Sequence, residues 1–150
     1  MNDIAFDIYK LSSEGFCCTQ ILLKLALEEE GKENKDLIKA VNGLCGGIGF
    51  SKRTCGVVTG GICILSLYAG KGEARESKGE AFNEMINEYM EWFEEEFESI
   101  ECGDIVGAHV ISDSEGNVSY PIKCGNILIK SYEKLQEILY KHEYDFGERE

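Results

Sequence analysis

One proline in 150 residues, 10% aromatics and no low-complexity tract argue against a disordered chain. Basic residues are also scarce: 15 lysines and arginines face 28 acids, a formal net charge of −13. A nucleic-acid binder normally needs a basic face against phosphate, so that activity is disfavoured. Docking on an anionic membrane surface is disfavoured for the same reason. The acidic balance instead favours solubility and steers basic partners. No apolar run reaches the length of a membrane span; Val57 to Ala69 comes closest, and it is short and broken by glycine. Met1-Asn2-Asp3-Ile4 has neither a basic n-region nor an apolar h-region, so no secretory signal is read there and a cytoplasmic chain is expected.

Several motifs are missing as well. There is no C-x-x-C, no C-x-x-C-H and no cysteine pair at zinc-knuckle spacing, which removes the simple thioredoxin, haem-attachment and zinc-finger readings. Gly47-Ile48-Gly49 has no preceding strand and no Gly-Lys-Ser/Thr after it, so it makes a poor nucleotide fingerprint. The two histidines, His109 and His142, have no neighbours that suggest a triad and read as solvated.

What is present is cysteine: Cys17, Cys18, Cys45, Cys55, Cys63, Cys102 and Cys124. A chain of this length buries enough surface to fold without staples. An odd number of cysteines in a cytosolic chain points to metal binding or redox chemistry rather than to a disulfide framework.

The apolar pattern is helical nearly throughout. Ile4, Ile8 and Leu11 recur at helical spacing, with Asn2 or Asp3 able to cap. A second helix is expected from Phe16 or Cys17 to about Glu30, buried along Cys18, Ile21, Leu22, Leu25 and Ala26. Asn34 caps a short helix through Leu37, Ile38 and Val41. GLCGGIG, from Gly43 to Gly49, reads as a loop. Ser51 or Thr54 caps a glycine-rich helix carrying Cys55, Val58, Ile62, Leu65 and Ala69. A long acidic helix is expected over Glu73 to Glu98, with Phe82, Met85, Ile86, Tyr89, Phe93 and Phe97 inward. The acid run from Glu84 to Glu101 reads as a solvated face that steers a basic partner. A small hairpin is expected near 108–121, and a last helix from Ile122 or Cys124 to Lys141, with a frayed tail from His142. The expectation is one all-α helical-bundle domain over residues 1–150.

On this map Cys18, Cys55 and Cys124 fall in the first turns of helices, and Cys102 follows the long helix. Helix N-termini present unpaired N–H groups and partial positive charge, which stabilise a thiolate. Lys52 and Arg53 precede Cys55, so its pKa is expected to be lowered. Gly56 beside it offers no side chain to shield it from attack. The bland alternative is that these cysteines are small buried hydrophobes. Cys63, mid-helix, reads as packing; Cys17 as a half-exposed bystander; Cys45 as either.

The segments GFCCTQILLKLALEE (Gly15 to Glu29), GLCGGIGFSKRTCGVVTGG (Gly43 to Gly61), ECGDIVG (Glu101 to Gly107) and KCGNILIKSYEKLQEIL (Lys123 to Leu139) resemble a redox-active protein family. The family is named for its C-GCAxxG-C-C cysteine pattern. Its four cysteines fall on Cys18, Cys55, Cys102 and Cys124. Val57 replaces the family alanine, and Cys17-Cys18-Thr19 replaces the usual Asn-Cys-Ala. The resemblance implies a redox role, often beside transport functions, with no substrate attached.

Three readings follow. In the first, thiols and disulfides cycle among Cys18, Cys55, Cys102 and Cys124, with Cys55 attacking and another of the four resolving the mixed disulfide with a redox partner. In the second, the same four thiolates hold an iron–sulfur cluster or another soft metal. In the third, the chain is a helical interaction domain with inert cysteines. The first two require the four sulfurs to converge on one pocket.

Overall fold

The computed structural model describes residues 3–106, 111–112, 118–119 and 122–149; side chains are described for 4–105 and 125–149. The helices, in chain order, are α1 (Asp3–Ser13), α2 (Cys18–Glu29), α3 (Lys35–Ala40), α4 (Gly56–Ala69), α5 (Phe82–Phe97), α6 (Cys102–Val106) and α7 (Ile122–Lys141). A 3-10 turn, Asn42–Leu44, follows α3. The expected hairpin is present as two short strands, β1 (Ile111–Ser112) and β2 (Val118–Ser119), paired antiparallel with Ile111 opposite Ser119. His109 and the hairpin tip lie outside the described residues. No helix among the described residues is long and apolar enough to cross a membrane.

The helices share one apolar core. α2 and α4 form its centre, packed most extensively on each other, with α5 and α7 against α4. α2 is buried on more faces than its expected stripe: Thr19, Leu23 and Leu27 are closed to solvent along with Ile21 and Leu22. Thr19 is accommodated because its hydroxyl donates to the Gly56 carbonyl at 2.9 Å, so the buried polar group is satisfied. α3 is capped as its sequence suggests, with the Asn34 side chain accepting from the Leu37 N–H at 3.0 Å.

Two boundaries differ from expectation. α5 begins at Phe82, not near Glu73. The Gly79 N–H returns to the Ala69 carbonyl at 2.7 Å, and the Glu76 carboxylate binds the N–H groups of Gly72 and Glu73, so residues 70–81 turn back instead of propagating a helix. The tail after α7 is not frayed. Phe146 is buried against Tyr68 and Tyr132, the Gly147 N–H donates to the Tyr68 hydroxyl at 2.9 Å, and Arg149 pairs with Glu30. His142 is likewise held, 3.3 Å from Glu88, and is not a solvated residue.

Candidate functional site

The N-terminal ends of α2 and α4 lie side by side, and glycine allows it. A Cβ on Gly56 would lie 2.7 Å from the Cys18 sulfur and would also collide with the Thr19 hydroxyl. Gly56 therefore brings Cys18 against the residue that follows Cys55. It does not leave Cys55 open to attack, as the sequence suggested, because Thr19 and Cys18 cover it.

Cys55 is the N-cap of α4, one position before the helical turn expected for it. Its sulfur accepts from the Val57 N–H at 3.4 Å, and its own N–H donates to the Ile100 carbonyl at 2.7 Å. That bond belongs to a short antiparallel crossing. Thr54 bridges Glu101, the Cys102 N–H donates to the Arg53 carbonyl at 2.6 Å, and the Gly103 N–H to the Lys52 carbonyl at 3.0 Å. Cys55 and Cys102 each follow a bridge residue, so their side chains leave the crossing on the same face. Cys102 then opens α6.

The structure thus brings together three of the four cysteines singled out from the sequence: Cys18, Cys55 and Cys102. Their proximity is felt electrostatically, since both Cys18 and Cys102 disfavour ionisation of Cys55. Cys124 occupies the first turn of α7, but its side chain lies outside the described residues. Cys63 sits apart on α4, half-buried among the core side chains, as its mid-helix position suggested. Among the described residues, no group of three or more His, Cys, Asp or Glu side chains is arranged to hold a metal ion.

The expected activation of Cys55 is overturned. Burial pushes its thiol from an ordinary value near 9 up to about 12, and the neighbouring sulfurs add to that; the Val57 and Val58 N–H groups oppose it and lose. The helix terminus points at the sulfur as foreseen, but desolvation is the larger effect. The charge of Lys52 is felt at Cys102 instead. Burial raises that thiol too, Lys52 draws it back down, and Glu101 opposes Lys52. Both cysteines expose 7% or less.

Three participants were not found from the sequence. Cys17 and Cys45 form a disulfide, Cα to Cα 6.0 Å, tying the N-cap of α2 to the end of the 3-10 turn. Cys17 is buried, not a half-exposed bystander. Nothing in a 28-residue separation specifies the pair. Tyr89, read as core, places its hydroxyl under the thiols and donates to the Val57 carbonyl at 2.7 Å. Burial raises its pKa, and Cys55 and Cys18 raise it further.

The loop between Cys45 and Cys55 covers this end of the molecule. Ile48, Phe50 and Lys52 all adopt positive φ, which is rare for non-glycine residues and most costly for β-branched Ile48. Gly47 packs so closely on Cys102 that a Cβ there would lie 2.8 Å from the Cys102 Cβ. The Ile48 and Phe50 side chains are exposed beside it.

The family model described as "Putative redox-active protein (C_GCAxxG_C_C)" matches residues 16–138. No curated protein matches the chain. No solved structure matches it.

Proposed function

Because the chain belongs to the C_GCAxxG_C_C family of redox-active proteins, we propose that it is a cytoplasmic thiol–disulfide redox protein working through Cys102 and Cys55, with Cys18 and Cys124 completing the family set. The observation that carries this reading is the convergence of Cys18, Cys55 and Cys102 around the crossing of residues 52–55 with 100–103.

The roles follow from the electrostatics. The attacking group must be a thiolate. Cys102 suits that role better than Cys55, because Lys52 offsets part of its burial while Cys55 stays protonated. In the forward step the Cys102 thiolate attacks one sulfur of a partner disulfide. A protein–partner disulfide forms, and the partner's other sulfur leaves as a thiolate that takes up a proton. Cys55 then loses its proton and attacks the Cys102 sulfur, releasing the second partner thiol and leaving a Cys55–Cys102 disulfide. The partner gains two electrons and the protein loses two.

The partner fits a basic surface. Glu91, Glu94, Glu95 and Glu96 are exposed along α5, and a cavity of about 310 Å³ between that face and Ile100 reaches the chain crossing itself. Approach along this face is steered by charge and weakens with salt.

The test is to incubate the reduced protein with a small disulfide such as cystamine, quench with an alkylating agent and map the products by mass spectrometry. A mixed disulfide at Cys102 that resolves to Cys55–Cys102 supports the assignment. Alkylation of both residues after full equilibration with the disulfide defeats it, and so does an iron-containing, coloured protein from anaerobic purification.

A further inference from the structure

A cavity of about 520 Å³ lies between α2 and the segment containing α3, away from Cys55 and Cys102. Its volume is within the ordinary range for small-molecule sites. Phe16, Leu27 and Ile38 supply apolar wall, and four lysines against two glutamates line it in a chain whose net charge is −13. Lys35 and Lys39, one helical turn apart on α3, are exposed, and neither forms an ion pair among the described residues. This is a local reversal of the molecule's charge over an apolar floor.

Apart from Phe16, which adjoins Cys17, the lining residues fall between positions 20 and 42, inside the loop that the Cys17–Cys45 disulfide closes. One wall is α2 and the other is α3 with its flanking turns. Two ties join them at the disulfide end. One is the disulfide itself. The other is the buried Gln20 side chain, which accepts from the Cys17 N–H at 3.3 Å and donates to the Ile38 carbonyl at 3.2 Å.

We propose that this cavity binds a small amphipathic carboxylate and that the Cys17–Cys45 disulfide gates it. The apolar body lies against Phe16, Leu27 and Ile38, and the carboxylate meets Lys35 and Lys39. Reduction by a dithiol unlocks the two walls and weakens binding. One reductant thiolate attacks a disulfide sulfur, the other protein sulfur leaves and is protonated, and the second reductant thiol closes a disulfide within the reductant. The protein gains two electrons and two protons, and α3 is then held to α2 at this end by the Gln20 hydrogen bonds and by the apolar packing of Ile38 and Val41. The site is independent of exchange at Cys102, so failure of either proposal leaves the other standing.

Calorimetric titration with decanoate below its micellar range tests it. The oxidised protein is expected to bind decanoate and to bind decylamine at least tenfold more weakly. Lys35→Gln/Lys39→Gln is expected to weaken decanoate about tenfold, while Lys71→Gln/Lys78→Gln, on the loop before α5, leaves it unchanged. Cys17→Ser/Cys45→Ser is expected to bind about tenfold more weakly, within the usual range of coupling between sites. Should that variant fail to fold, the wild-type protein answers the same question by reciprocity. Saturating decanoate must then shift the dithiothreitol equilibrium of Cys17–Cys45, mapped by mass spectrometry, about tenfold toward the disulfide. An unshifted equilibrium overturns the gate. Equal binding of decanoate and decylamine, or binding unaffected by the Lys35 and Lys39 substitutions, overturns the site.

Discussion

The two ends of α4 are held by different means. At its N-terminal end the contacts are backbone and glycine: Gly56 against Cys18, Gly60 where a Cβ would lie 3.3 Å from the Thr19 Cα, Cys55 hydrogen-bonded to Ile100, and a covering loop with three non-glycine residues at positive φ. At its C-terminal end the contacts are side chains, with Ile64, Leu65 and Ala69 closed off by the apolar faces of neighbouring helices. The first arrangement fixes the positions of sulfur atoms at some cost in backbone strain. The second supplies burial and constrains no chemistry. Stability and reactivity are therefore expected to respond to substitution at opposite ends of the same helix.

The largest effect separates them most simply. Leu65→Ala removes a fully buried side chain from the packing end and is expected to cost about 2–5 kcal/mol in urea unfolding. The order in which the cysteines alkylate in the folded protein stays as it was; a changed order would mean that the two ends are coupled. Gly56→Ala acts at the other end. Its Cβ meets the Cys18 sulfur, so about 1–3 kcal/mol is expected to be lost. Here the alkylation rates of Cys18 and Cys55 change too, and unchanged rates would remove Gly56 from the site.

A pH series sharpens the same contrast. The Cys55 thiol is raised in the folded protein to about 12 from near 9, so the folded state holds a proton that the unfolded chain releases above pH 9. Its contribution is complete below pH 9 and declines between 9 and 12, by up to about 1.4 kcal/mol per pH unit. Cys55→Ser should flatten that part of the curve, and Cys63→Ser, further along α4, should flatten it less. Equal slopes in the two variants would contradict the burial assigned to Cys55. The smallest effect is Lys52→Met, which is expected to slow Cys102 alkylation about two- to fivefold at low salt and less at high salt. A matching change at Cys55 would return the charge to where the sequence placed it.

The packing end was legible in the sequence and the cysteine end only partly so. Leu65, Tyr89, Phe93, Leu135 and Ile138 repeat at helical spacing, and periodicity reports burial directly. Cys18, Cys55 and Cys102 were found because each begins or precedes a helix, a feature that capping residues and glycines mark. The Cys17–Cys45 pair was not found, because no local pattern encodes which distant cysteines meet. The Cys55 pKa was misjudged for a related reason. The helix terminus and adjacent bases can be read from neighbours in the chain, whereas desolvation depends on α2 and the 100–102 segment, remote in sequence. The packed tail was missed likewise: Phe146 finds Tyr68 and Tyr132 only after folding.

The proposed exchange turns on the division of labour between Cys102 and Cys55. It is tested most directly by pH-resolved alkylation of the reduced, metal-free protein, with each cysteine followed separately by mass spectrometry. Cys102 is expected to gain reactivity at a pH well below that at which Cys55 does, with Cys55 remaining slow until strongly alkaline conditions. Cys55 alkylating first, or at the same pH as Cys102, would contradict it.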